Sequence, residues 1–239
     1  MKRNRDTAVV GLMFALILAL AAPWGTPGQD SKSPYPSMAP LERYLMPDRN
    51  AEIALARSAA PEVISQDAKI LVLGRHGYET AVEGKNGFVC AVERGWAGPI
   101  DDPGFWNPKN RSPICYNPQA ARSILPITIK RTELVVAGKT RAQIKEWTKA
   151  AYAKNELPTT LVPGAMAYMI SKEAYLTDGG DHNLAHLMVY TPLMDKANWG
   201  ADAPHSPVLF FLEGPPEPFS VFLVPVGKWS DGSPAPLPE

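Results

Sequence analysis

Lys69–Glu93 reads KILVLGRHGYETAVEGKNGFVCAVE, three short apolar and β-branched runs separated by turn formers. Lys69–Leu73 predicts one strand, Tyr78–Val82 a second and Phe88–Glu93 a third. Gly74 and Gly77 flank a two-residue tip, Arg75-His76. Between the second and third runs, Glu83-Gly84-Lys85-Asn86-Gly87 carries an Asn-Gly pair, a strong short-range hairpin signal. The pattern predicts a three-strand antiparallel meander. Sequential parallel pairing would need a crossover of about ten or more residues, and none separates these runs.

The flanking sequence extends this core. Upstream, Asp48 is a good N-cap for a helix running to about Ala59, before Pro61. Downstream, Gly95–Pro118 reads as a long loop carrying Trp96, Phe105 and Trp106, and Ile124–Ile129 as an extended edge segment containing Pro126. Thr140 and Gln143 form a capping box for a helix to about Lys154, with Ile144, Trp147 and Ala151 as its inward stripe. Four more strand-like runs follow at residues 165–170, 186–190, 208–212 and 219–224, the last two joined through Gly214–Pro218. The expected fold is α+β: one domain over residues 41–229, with an antiparallel sheet of about six to seven strands, two main helices and one covered face. Residues 22–40 and 230–239, rich in proline, read as a flexible linker and a disordered tail.

Composition narrows the function classes. The 239 residues include 24 Lys+Arg against 24 Asp+Glu, 45% apolar residues and 25 prolines. Zero net charge argues against a nucleic-acid partner, because phosphate contacts need a basic excess. The proline content argues against a long helical bundle or coiled coil. Lys2, Arg3 and Arg5 precede an uncharged apolar run from Val9 to Ala22. That run is too short for a bilayer span, which takes roughly 20 residues. With Ala19-Leu20-Ala21 behind it, it reads as a signal peptide over residues 1–21, or up to 28 with a later cut. The alternative is an uncleaved anchor. No cysteine follows to carry a lipid. Cleavage leaves 21 basic against 23 acidic side chains, a net charge of −2 and no stable membrane span. The expected destination is periplasmic or secreted, where the sole cysteine pair, Cys90 and Cys115, reads as a disulfide.

Candidate chemistry is sparse. His182 and His186, four residues apart after Gly179-Gly180-Asp181, suit a divalent metal such as zinc, with Asp181 or a remote side chain completing the shell. Asn183 stands where the metalloprotease pattern needs its general base. Trp96, Trp106, Asp101 and Asp102 would suit a stacking platform for a polyhydroxylated ligand. His205 reads as an ordinary loop residue. Arg75, Arg94 and Arg111 lie where they could gather near the cysteine loop.

Leu73-Gly74-Arg75-His76-Gly77 resembles the histidine phosphatases over three or four residues. The resemblance implies His76 as the nucleophile, Arg75 as a phosphate clamp and His182 or His186 as the second histidine. The same residues also read as a plain β-turn. Between about Ala59 and Trp229 the chain resembles a family of uncharacterised exported bacterial proteins. The stretches that carry this resemblance include Leu71-Val72-Leu73-Gly74, Asn86-Gly87-Phe88, Phe105-Trp106-Asn107-Pro108, Pro163-Gly164-Ala165-Met166 and Pro225–Gly232. It implies export and a single domain, but no activity and no catalytic residue. Three functions fit the sequence: an exported protein binding a small molecule or metal ion, a metal-dependent or histidine-based hydrolase, and an envelope interaction module.

Overall fold

The computed structural model describes residues 34–179, 184–214 and 216–237. Residues 1–33, which hold the expected signal peptide and most of the expected linker, lie outside them, as do Asp181 and His182. The helices are α1 (Arg49–Arg57), α2 (Glu62–Ser65), α3 (Pro118–Ser123), α4 (Leu125–Val136) and α5 (Arg141–Ala153). The strands are β1 (Lys69–Gly74), β2 (Gly77–Val82), β3 (Val89–Glu93), β4 (Ser112–Tyr116), β5 (Met166–Met169), β6 (His186–Pro192), β7 (Leu209–Glu213) and β8 (Phe219–Pro225). All eight strands join one sheet in the order β2-β1-β3-β4-β5-β6-β8-β7.

The fold is α+β, but the sheet is mixed and larger than expected. β1 and β2 form the antiparallel hairpin, with Gly74 opposite Gly77. β3 then pairs with β1 rather than β2, and the pairing is parallel, Lys69 opposite Val89. The meander does not form. The crossover rule is met in another way, because β2 itself carries the chain back to the start of β1. Residues 83–88 need only pass beneath that end. Gly84 permits the passage, since a side chain there would collide with the backbone of Ala68 and Lys69. The Asn-Gly signal is spent on the same crossing. The Asn86 side chain accepts from the Phe88 N–H at 3.0 Å and donates to the Ile64 carbonyl at 2.7 Å.

Capping fixes the helices. Asp48 accepts from the Asn50 N–H, and Thr140 and Gln143 close their capping box as expected. Residues 124–129, expected to be extended, are helical. Pro126 sits in the first turn of α4, where no N–H is needed, and burial at 127, 128, 131, 132 and 135 outweighs the weak helix propensity of the β-branched residues. The supposed loop before it contains β4 and leads to α3, which Asn117 caps through the Ala120 N–H.

Both faces of the β1–β3–β4 region are covered, not one. Ile70, Cys90, Val92 and Cys115 pack with Leu55, Ala56 and Ala59 on the α1 side. Leu71, Ala91, Ile114 and Tyr116 pack with Ala120, Ile124, Ile127 and Ala151 on the other. Strand alternation produces this division. A third cluster gathers Tyr44, Leu73, Trp96, Phe105, Trp106, Val135 and Ile144.

The proline-rich flanks are tied down where they are described. Tyr35 donates to the Asp178 carboxylate, and the Ala39 N–H donates to the Tyr44 hydroxyl. In the tail, Asp231 pairs with Lys172 and the Ala235 N–H reaches the Gly227 carbonyl. Among the described residues, no helix is long and apolar enough to cross a membrane.

Candidate functional site

Glu93 and Arg94 are adjacent at the end of β3, so alternation sends their side chains to opposite faces. Each is buried, and each meets polar groups from the helix on its side. On the α1 side, Arg94 Nη2 lies 2.9 Å from Glu52 Oε1, which also accepts from the Leu73 N–H at 3.1 Å. Arg94 donates further to the Tyr44 and Val92 carbonyls. This pair ties α1 to β1 and β3. These bonds engage Arg94 Nε, Nη1 and Nη2 and Glu52 Oε1 within the protein.

The α4 side is different, because there the charges border a cavity of about 60 Å³. Its walls come from β3, β4, α4, β6, β7 and β8 together with residues 97–99 and the loop joining β7 to β8. Tyr116 donates to Glu93 Oε1, and Thr128 Oγ1 lies 3.3 Å from the same hydroxyl. Burial pushes the Glu93 carboxyl up from its ordinary value, against the opposing pull of Tyr116, Thr128 and Arg131. Arg131 is 5% exposed. Burial lowers its guanidinium to about 10, so it stays charged at neutral pH. Its Nη2 pairs with Glu217, and its Nη1 donates to the carbonyls of Trp96, Ala97 and Gly98. Arg131 Nε has no hydrogen-bond partner among the described residues. An unpaired buried donor costs about 1–3 kcal/mol, so a residue that lines a cavity and carries one is a place to look for an acceptor.

The raised Glu93 gives a pH signature. A carboxyl raised in the folded state binds more protons there than in the unfolded chain. Stability therefore falls as pH rises from about 4.5 toward the folded value. The slope contributed by Glu93 reaches at most about 1.4 kcal/mol per pH unit. Glu93→Gln removes that slope and keeps an acceptor for Tyr116. Urea unfolding of both proteins between pH 4.5 and 8 is expected to show the variant gaining on the wild type as pH rises. Parallel curves would mean Glu93 does not carry the effect.

The residues singled out in the sequence lie mostly elsewhere. Arg75 and His76 occupy the exposed tip of the β1–β2 hairpin, where Arg75 pairs with Glu42 at 2.9 Å. His186, 6% exposed, begins β6, and its Nδ1 faces the Leu184 carbonyl at 2.7 Å. Burial lowers its pKa. Four strand spacings, roughly 19 Å, separate β1 from β6, so His76 and His186 are not brought together. Among the described residues, no group of three His, Cys, Asp or Glu side chains could hold a metal.

The aromatic loop is core rather than platform. Trp96, Phe105 and Trp106 are buried. Trp96 packs on Tyr44 at 4.8 Å and donates to Thr132 Oγ1, while Phe105 and Trp106 meet edge to face at 4.6 Å. Asp101 and Asp102 are exposed, the first paired with Lys145 and the second accepting from the Gly104 N–H. Arg94 and Arg111 do approach each other, and burial with that neighbouring charge lowers Arg111 to about 10. His205 is an exposed loop residue. A larger hollow of about 430 Å³ lies between residues 36–38, Trp106 and residues 138–142. Its guanidinium, on Arg141, is already seated over the Phe105 ring at 5.0 Å.

Sequence reasoning missed Glu93, Tyr116, Thr128, Arg131 and Glu217. One signal was available: with α4 read as a helix, Arg131 falls on the same stripe as Ile124, Ile127, Thr128 and Val135. A charge on an apolar stripe marks a buried polar site. No known protein family, curated protein or solved structure matches this chain.

Proposed function

We propose that this chain is an exported protein that binds a small ligand in the cavity bordered by Glu93, Arg131 and Glu217. The supporting observation is that Arg131, buried and with an Nε–H that has no partner among the described residues, lines the cavity. Apolar walls with a few converging polar groups are the usual makeup of a ligand site. The volume matches a small molecule or the head of a larger one. Export is supported by the N-terminal pattern of basic, apolar and small residues and is compatible with the Cys90–Cys115 disulfide.

The test is a thermal-shift panel of acetate, acetamide, acetone, isopropanol and dimethyl sulfoxide against the wild type and Ile127→Phe. The phenylalanine is placed to fill the cavity. A compound present at a hundred times its Kd stabilises the fold by about 2.7 kcal/mol, enough for a clear rise in Tm. At least one compound is expected to raise Tm in the wild type and not in the variant. A panel that leaves the wild type unmoved, or moves both proteins equally, would overturn the reading.

A further inference from the structure

Arg131 is the one cation among the described residues lining the cavity, and Glu217 already balances it. Adding an anion beside Glu93 and Glu217 would leave negative charge unpaired in a buried space, which is costly. Exchanging one carboxylate for another would not. Glu217 is suited to such an exchange. It belongs to the loop joining β7 to β8, so its carboxylate can return to water without dismantling a strand. From Cβ outward, its side chain is itself a propionate. The space it would vacate therefore adds a carboxylate and a two-carbon tail to a cavity that already has room for about two waters. The apolar part of the cavity wall is formed by Ile124, Ile127, Met188, Leu212, Phe219 and Val221.

Resting on the ligand site proposed above, we infer that its ligand is a small monocarboxylate with an apolar tail, whose carboxylate takes the place of Glu217 on Arg131. Glu217 then acts as an internal competitor that keeps Arg131 paired when the ligand is away. The free Nε–H of Arg131 supplies a further donor to the incoming carboxylate. Phe211, 41% exposed on the cavity rim, marks the side on which a longer tail would emerge.

Trp96 provides a reporter, because its carbonyl accepts from Arg131 and its indole N–H donates to Thr132 on α4. The experiment titrates ¹⁵N-labelled protein with sodium acetate, propionate and butyrate, using propionamide as the neutral control, and follows the Trp96 indole signal. Propionate is expected to shift that signal saturably and to bind about fourfold tighter than acetate, as one buried methylene predicts. Propionamide is expected to bind at least tenfold more weakly than propionate. Glu217→Gln weakens the competitor and is expected to bind propionate at least tenfold tighter. Glu217→Asp, which retracts the charge by one methylene, is expected to tighten binding as well and guards against misfolding of the first variant. Propionamide binding as tightly as propionate, or neither variant binding propionate tighter, would overturn the carboxylate inference. A neutral panel compound that still fits the cavity would leave the ligand site standing. Silence of the indole signal toward every carboxylate and every panel compound would remove both.

Discussion

Glu52→Ala is expected to lower the unfolding free energy by about 3–5 kcal/mol, the usual effect of removing one partner from a buried ion pair. Glu52 and Arg94 are 2% and 1% exposed, so the stranded guanidinium has no ready access to water. The same substitution also strips the Leu73 N–H of its acceptor in β1. Typical domains hold only about 5–15 kcal/mol in all, so this one change would consume a large share. Glu52→Gln keeps an oxygen for both donors and is expected to cost less. The double variant Glu52→Leu/Arg94→Met replaces the pair with apolar groups of similar bulk. It is expected to be more stable than Glu52→Ala, because no charge is left buried and alone. Urea unfolding followed by tryptophan fluorescence measures all three. A loss below about 1 kcal/mol for Glu52→Ala would show that Arg94 does not depend on this partner.

Helix caps and tight turns, unlike this long-range pair, are legible in short windows of the chain. Asp48, Thr140 and Gln143 announce helix starts because capping is satisfied within three residues, and those helices form where the pattern places them. The Gly74–Gly77 hairpin is likewise a local matter. Strand order is not. Whether β3 lies beside β2 or β1 depends on Asn86 reaching Ile64 and on Gly84 slipping under Lys69, contacts that no short window contains. Residues 124–129 look extended because β-branched residues and proline dominate, yet packing onto the sheet makes them helical. The candidate site depends on both events. Glu93 reaches Thr128 and Arg131 only when β3 pairs with β4 and α4 covers that face. A glutamate at a strand end and an arginine in an unrecognised helix therefore look like surface charges until the fold is known.

Reducing the disulfide, or replacing both cysteines by alanine, is expected to lower the unfolding free energy by about 3.5 kcal/mol, from the loop entropy of a 25-residue separation. Cys90 and Cys115 stand directly opposite on β3 and β4, within the paired register. The crosslink therefore clamps two neighbouring strands rather than fastening a loose loop to the body. The chain it closes contains Trp96, Phe105 and Trp106, all held independently in the third cluster. Strand pairing and aromatic packing are thus expected to survive reduction, with the loss appearing as a lower urea midpoint rather than as an unfolded protein. The consequence extends to the ligand site, because Glu93 and Tyr116 follow closely on Cys90 and Cys115 in these two strands. A fold weakened by that amount should still hold the Glu93–Tyr116 contact at low denaturant, so the pH signature of Glu93 is expected to persist in the double-alanine variant. The same comparison bears on compartment. Protein made in a reducing cytosol should carry the lower urea midpoint, and oxidation of the purified sample should restore the higher one. Equal midpoints for the oxidised and reduced proteins would mean that strand pairing alone holds β3 against β4, and would remove the stability argument for maturation in an oxidising environment.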